Sequence, residues 1–221
     1  MELFGFQERA ASSIAERFAE YAINPLMVDR TTTVPFIQTL VSITGSGKTL
    51  ILADAVSQIR DRLPIQPIVL WVSKGKIVVS QAYSNLSAGK YADNLPGFTV
   101  KPLLQVAPSD LEDSTRPVLL VATVGKFAVE DEEGGDRKVF EAQLDLATDS
   151  LWELLKRRRA ASGARRPLIV VYDEGHNLSD LQTRRLLELS PDGLIAASAT
   201  MTLPSRLENT ITRLRTDRGW Q

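Results

Sequence analysis

Cysteine is absent from this sequence of 221 residues, and histidine occurs once, as His176. The absence of cysteine excludes disulfide bonds, thiolate catalysis and thiolate metal sites. A single histidine excludes a metal centre that is built from several imidazoles. Any metal ion must therefore be held by oxygen ligands, which points to Mg²⁺.

Long apolar runs and an export signal are also missing. No stretch of about 18 apolar residues is present that could cross a membrane. Residues 1–4 lack the basic region with which an export signal begins. We therefore expect a cytoplasmic protein that has no membrane partner.

Neither sign of charge is in excess. The chain has 26 Lys and Arg against 27 Asp and Glu, a formal net charge of -1 and a pI near 6.0. This balance does not indicate nucleic-acid binding, but it does not exclude it, because cations can cluster on one face. With 43% hydrophobic residues, the chain can form a sizeable core without cross-links. We expect residues 1–221 to form a single domain.

Apolar, strand-like runs alternate along the chain with amphipathic, helix-like stretches. Strands are predicted at residues 36–43, 68–72, 117–122, 168–172 and 194–197, with 97–107 as a further candidate for a short strand. Helices are predicted at residues 7–20, 48–60, 77–86, 151–159, 178–189 and 205–215, and an exposed acidic loop at 130–136. This order predicts an α/β fold with five strands, in which a mostly parallel sheet has helices on both faces. In such doubly wound folds, ligands bind at the C-terminal ends of the strands.

A glycine-containing loop follows the first predicted strand and opens a helix, which is the context that a phosphate-binding loop requires. Glycine lets backbone N–H groups approach phosphate oxygens, and a helix N-terminus attracts anions. Lys48 would reach the β- and γ-phosphates of a nucleotide, and the Thr49 hydroxyl would ligate Mg²⁺. The alternative is a plain glycine-rich turn. The predicted nucleotide-binding residues are Thr44, Gly45, Ser46, Gly47, Lys48 and Thr49.

Two carboxylates follow the predicted strand at residues 168–172. Asp173 could hold Mg²⁺, directly or through water, and Glu174 could position and deprotonate an attacking water. Such a pair can also be a solvated turn or a helix N-cap, but a phosphate loop on the same predicted sheet edge favours the catalytic interpretation. His176 lies next to the pair and is predicted to have a coupling role.

With both motifs in place, the chain resembles the first RecA-like domain of superfamily-2 helicases and translocases. More narrowly, it looks like the DEAD/DEAH-type motor of type I and type III restriction enzymes, over nearly its whole length. The resemblance implies a three-layer RecA-like P-loop NTPase fold that uses ATP and Mg²⁺. Residues 42–49 look like motif I, and residues 173–176 look like motif II in its DExH form. Phe6 and Gln7 are similar to the glutamine motif, which implies that Gln7 recognises adenine.

Three further segments carry the resemblance towards nucleic acid. Residues 71–74 resemble motif Ia, and residues 121–127 resemble the motif Ib region, both of which touch the nucleic-acid strand. Residues 198–200 look like motif III, which couples hydrolysis to strand movement. The residues implied for coupling or nucleic-acid contact are Ser73, Lys74, Thr123, Lys126, Ser198 and Thr200.

The basic residues at 156–159, with Arg165 and Arg166, are a second candidate for backbone contacts to nucleic acid. Their alternative is a solvated helix end, where cations suit the helix dipole. Because they precede the strand that ends at Asp173, we expect them on the opposite sheet edge from the ATP.

The family has a second RecA-like domain that closes the ATP cleft, and residues 1–221 hold only the first. The resemblance therefore implies a motor component that moves on DNA, with a nuclease or methyltransferase subunit as a possible partner. DNA is favoured over RNA through the motif Ib region alone. Two alternatives stay open: an RNA helicase domain of the DExH kind, and a nucleotide-binding scaffold with very slow turnover.

Overall fold

A computed structural model of the chain describes residues 1–27, 33–127, 139, 149–173 and 179–200. The predicted acidic loop at 130–136 and the predicted helix at 205–215 lie outside the described residues. Among the helices that the structure describes, none is long and apolar enough to cross a membrane.

The described residues form one parallel sheet with helices on both faces, so the predicted α/β class is confirmed. The helices are α1 Gly5–Ile23, α2 Lys48–Asp61, α3 Lys76–Ser87, α4 Pro108–Glu112, α5 Leu151–Arg157 and α6 Asp180–Glu188. The strands are β1 Phe36–Val41, β2 Ile68–Ser73, β3 Thr99–Pro102, β4 Val118–Thr123, β5 Leu168–Asp173 and β6 Gly193–Ser198. Short 3₁₀ helices lie at Ala92–Asn94, Leu103–Gln105 and Val124–Phe127.

The sheet has six strands rather than the expected five. The additional strand, β3, lies at the sheet edge and pairs only with β4. It has just four residues and ends in Pro102, which an edge position tolerates because one side of the strand needs no ladder hydrogen bonds. Its short and partly polar sequence explains why residues 97–107 gave only a candidate strand.

Alternating residues of the central strands pack into two separate hydrophobic cores, one on each face of the sheet. On β2, Ile68, Leu70 and Val72 pack into the core beneath α5 and α6. Val69 and Trp71 point to the opposite core, which α1, α2 and α3 cover. All six residues of β2 are buried, which explains why this strand appears in the sequence as an unbroken apolar run.

Strand order places three strand ends side by side where the phosphate loop was predicted. The order across the sheet is β1-β6-β5-β2-β4-β3, so β6 lies between β1 and β5. Because all pairings are parallel, every C-terminal strand end lies on one edge. That edge carries the start of α2, Asp173 and Ser198.

Helix α1 packs through an aromatic side chain against the first residues of β1 and β6, at the amino edge of the sheet. Phe18 meets the ring of Phe36 edge-on, with centroids 5.5 Å apart. A Cβ atom at Gly193 would lie 2.9 Å from Cε2 of Phe18, so the absence of a side chain there lets the helix sit close to β6.

The basic residues before β5 divide into an exposed group and a buried pair. Lys156, Arg157, Arg159 and Arg165 are exposed, whereas Arg158 and Arg166 are 1% and 0% exposed. These two side chains are therefore neither a nucleic-acid surface nor a solvated helix end. The segment does lie at the amino edge of the sheet, opposite the predicted ATP site, as expected.

Arg166 binds several backbone carbonyls at the amino edge of the sheet. Its guanidinium donates hydrogen bonds to the carbonyl oxygens of Gln66, Pro67, Asp110, Leu111 and Arg116, over 2.7 to 3.3 Å. Those acceptors belong to the segments that lead into β2 and β4 and to α4. One planar side chain thus donates to backbone carbonyls of three segments that meet at this edge; the Pro67 carbonyl also accepts from the Val118 amide.

Arg158 donates hydrogen bonds to backbone carbonyls of the segment between α6 and β6 and of the segment before β5. It adopts a left-handed backbone conformation, φ 31°, at the C-terminus of α5. Its guanidinium donates to the carbonyls of Leu189 and Ser190 and to the Asp192 carboxylate. Its Nε donates to the carbonyl of Arg166 at 2.9 Å. Burial lowers the pKa of each arginine to about 10, so both stay charged at neutral pH.

We predict that Arg166→Met will lower the free energy of unfolding by at least about 3 kcal/mol, because it leaves several buried carbonyls without donors. Arg165→Met is the matched control, since its exposed guanidinium donates one hydrogen bond, to the Ser190 carbonyl; its effect should stay below about 1 kcal/mol. Urea denaturation of both variants makes the comparison. Equal losses would show that Arg166 does not organise this edge.

Candidate functional site

The loop at residues 42–47 joins β1 to α2 and contains two glycines in a left-handed conformation. Gly45 has φ +84° and Gly47 has φ +82°, values that disfavour a side chain. A Cβ atom at Gly45 would meet no atom within 4 Å, so the loop backbone is open on that side. Helix α2 begins directly after the loop, at Lys48.

Lys48 folds back over the beginning of the same loop. Its side chain is buried at 6% exposure. The Nζ atom donates hydrogen bonds to the carbonyl oxygens of Ser42 and Ile43, each at 3.2 Å. The ammonium group is therefore held beside the loop by backbone acceptors, an arrangement that sequence reasoning did not anticipate because carbonyl positions have no sequence signal.

Thr49 and Asp173 meet across the carboxyl edge of the sheet. The Thr49 hydroxyl, in the first turn of α2, donates to Oδ2 of Asp173 at 2.7 Å. Asp173 is the last residue of β5, and 124 positions separate the two residues. The structure thus brings together the two residues that the sequence predicted as metal ligands.

Strand β6 lies between β1 and β5 and contacts the loop that follows β1. The Ser42 amide donates to the carbonyl of Ser198 at 3.1 Å, which ties the phosphate loop to the end of β6. The Ser198 hydroxyl donates to the Thr200 carbonyl at 2.9 Å and lies 3.3 Å from the Thr200 amide. Ser198 therefore lies next to the loop, and Thr200 contacts Ser198.

Gln7 reaches the loop from the first turn of α1. Its Nε2 donates to the Ser46 carbonyl, and its Oε1 accepts from the Phe4 amide, each at 2.8 Å. The side chain is 5% exposed. Sequence reasoning missed this contact with the loop because the partners are 39 positions apart.

The residues predicted to touch nucleic acid lie further along the same edge. Ser73 and Thr123 are register partners at the ends of β2 and β4. Ser73 is 1% exposed, and among the described residues its hydroxyl has no hydrogen-bond partner. Lys74 is exposed, and Lys126 belongs to the 3₁₀ helix Val124–Phe127. Glu174 and His176 lie outside the described residues.

The all-parallel strand order, with helices on both faces, gives the described part of the chain a RecA-like α/β fold. The chain belongs to the family described as "Type III restriction enzyme, res subunit", whose model matches residues 1–203.

The fold is similar to the solved "Sulfolobus solfataricus SWI2/SNF2 ATPase core in complex with dsDNA", with a TM-score of 0.52 and 18% sequence identity. The match covers 96% of this chain and 34% of that chain, so this chain spans about a third of the length of its structural neighbour. No curated protein sequence matches.

We predict that Thr49 and Asp173 are energetically coupled in the nucleotide-free protein. Thr49→Val, Asp173→Ala and the double variant form a cycle, and urea denaturation in EDTA gives each free energy of unfolding. The coupling should be about 1 kcal/mol, because a partly exposed hydrogen bond to a carboxylate is lost only once in the double variant. Effects of the single variants that add within about 0.3 kcal/mol would contradict the contact.

Proposed function

We propose that the chain is the ATP-binding half of a DNA motor, which hydrolyses ATP to move on or remodel DNA in the cytoplasm. The observation that carries this proposal is the contact between Thr49 and Asp173 at the carboxyl edge. It joins a glycine loop with a buried lysine to an acidic strand end. A plain glycine-rich turn would require neither the buried ammonium nor the acidic partner.

The residues fit a nucleotide with Mg²⁺. A hydroxyl oxygen and a carboxylate oxygen already converge at one point, and Mg²⁺ binds through one or two such ligands together with phosphate oxygens. When bound, Mg²⁺-ATP supplies the scissile phosphoanhydride, with the metal neutralising charge on the phosphates. We assign metal binding to Thr49 and Asp173, and phosphate binding to residues 44–48.

The chain's own side chains have separate roles in the proposed hydrolysis. Lys48 offers a cation to the terminal phosphates, from a position beside the loop where two carbonyls hold its ammonium group. In this proposal Glu174 takes the proton from the attacking water, which the chemistry of in-line displacement requires. His176, Ser198 and Thr200 transmit the state of the site to the bound strand.

Nucleic acid is proposed to lie along Ser73, Lys74, Thr123 and Lys126. The first three lie at or just beyond neighbouring strand ends, so a backbone could follow the edge from one to the next. Family membership supports DNA as the substrate and a second RecA-like domain as the partner that completes the site. A nuclease or methyltransferase subunit is the proposed further partner.

Calorimetric titration with Mg²⁺-ATP tests the site. The chain should bind saturably, and Lys48→Ala should weaken binding at least about 100-fold, or 2.7 kcal/mol, because the fixed cation is lost. EDTA should weaken binding as well, since the metal bridges protein and phosphates. Lys156→Ala, which removes an exposed lysine at the opposite edge, should bind like the unaltered chain. Unchanged affinity in folded Lys48→Ala would remove the assignment.

Stimulation of ATP hydrolysis separates the possible substrates. In the full-length native protein, we expect duplex DNA to raise turnover at least about tenfold, which corresponds to 1.4 kcal/mol in the barrier. Single-stranded and duplex RNA serve as the comparison. Stimulation by RNA alone would select the RNA-helicase alternative. Binding of ATP without turnover, with or without either nucleic acid, would select the nucleotide-binding scaffold.

A further inference from the structure

A cavity of about 420 Å³ opens at the amino edge of the sheet. Its walls include the last turns of α1, residues 62–65 after α2, and Pro167 and Asp192, which precede β5 and β6. The phosphate loop follows β1 at the opposite edge, so the cavity is separate from the candidate site. Its volume falls within the range of roughly 300–1,000 Å³ that small-molecule sites occupy.

The walls of this cavity are mostly apolar. Phe18 belongs to the hydrophobic core, and Leu63 packs against that core. Pro25, Pro64 and Pro167 add rings with a fixed φ and without an N–H donor. The hydrocarbon part of a ligand would leave water on entering such a space, which favours binding in proportion to the apolar area that is buried.

Tyr21 also lines the cavity, but its polar end is occupied elsewhere. Its hydroxyl donates to the Val34 carbonyl and accepts from the Leu26 amide. The ring therefore serves as a further apolar surface. Among the other described residues of the wall, those with polar side chains are Thr33, Arg62 and Asp192.

The negative charge of the wall is already compensated within the protein. Oδ2 of Asp192 accepts a hydrogen bond from the Leu168 amide at 2.8 Å. The same oxygen accepts from the buried guanidinium of Arg158 at 3.2 Å. A ligand therefore does not need to bring a cation to balance this carboxylate.

The positive charge of the wall is not compensated by the described residues. Arg62 is exposed, and its guanidinium donates one hydrogen bond, to the Gln58 carbonyl at 2.7 Å. The neighbouring carboxylate of Asp61 pairs with Arg60 instead, at 2.6 Å. Because a guanidinium carries five N–H donors, Arg62 can still bind an anion beside the apolar walls.

We propose that this cavity binds a small amphipathic anion, namely a carboxylate with an apolar chain. The chain fills the apolar walls, and the carboxylate accepts hydrogen bonds from the Arg62 guanidinium, whose parallel N–H groups match its two oxygens. This site is independent of the proposed nucleotide site, which lies at the other edge of the sheet.

Calorimetry with octanoate and 1-octanol separates the contribution of the charge from that of the chain. Octanoate should bind saturably, and 1-octanol about tenfold more weakly because it cannot form a charged pair with Arg62. Arg62→Gln should lower the octanoate affinity to that of 1-octanol, whereas Arg62→Lys should keep most of it. Arg116→Gln, which removes another exposed arginine of the amino edge, is the matched control and should bind octanoate like the unaltered chain.

Chain length and a cavity-filling variant test the apolar part of the site. From hexanoate to octanoate, each added CH₂ group should strengthen binding about fourfold because it is buried. Ala22→Trp should abolish binding of octanoate and of 1-octanol, since Ala22 lines the cavity. This position is exposed, so the variant is expected to fold, and circular dichroism checks that it does.

An absence of saturable binding at millimolar octanoate would overturn the proposal. Equal octanoate affinity in Arg62→Gln and the unaltered chain would also contradict it, because the anion would then not be recognised by this guanidinium. Affinity that does not change with chain length, or undiminished binding in folded Ala22→Trp, would place the ligand outside the cavity.

Discussion

All six strands run in the same direction, and this single constraint divides the molecule into two edges with different needs. At the amino edge, the segments that enter the strands leave carbonyls without ladder partners. Arg158 and Arg166 donate to many of these carbonyls. At the carboxyl edge, the same geometry gathers loop ends, a helix N-terminus and Asp173. The two arginines thus stabilise the amino edge, whereas the carboxyl edge holds the polar groups of the candidate site.

Much of this architecture could be predicted from the sequence. β2 is buried throughout and β5 is buried up to Asp173; both appear in the sequence as continuous apolar runs, and their residues alternate between the two cores. The loop at 42–47 and Asp173 were recognisable because each follows such a run. The parallel order then required both to lie on one edge, and the structure confirms this by joining Thr49 to Asp173.

What could not be predicted are contacts between segments that lie far apart in the chain. The insertion of β6 between β1 and β5 depends on packing across the sheet. The burial of Arg158 and Arg166 was missed because neighbouring arginines with the same local sequence are exposed. The hydrogen bond from Gln7 to Ser46 was missed for the same reason: the sequence around Gln7 specifies its helix turn, but not what its outer amide group meets.

The position of β1 has a consequence for how the protein is made. In the sheet that the described residues form, β1 is an edge strand that leads into the loop at residues 42–47 and pairs with β6, and β6 comes later in the chain than the other five described strands. During synthesis at roughly 5–20 residues per second, β1 leaves the ribosome on the order of ten seconds before its partner. For that interval its sequence, Phe-Ile-Gln-Thr-Leu-Val, is an unpaired β-forming segment without charge. Among the described strands, the one that leads into the loop at residues 42–47 is therefore made first and waits for the partner that is made last.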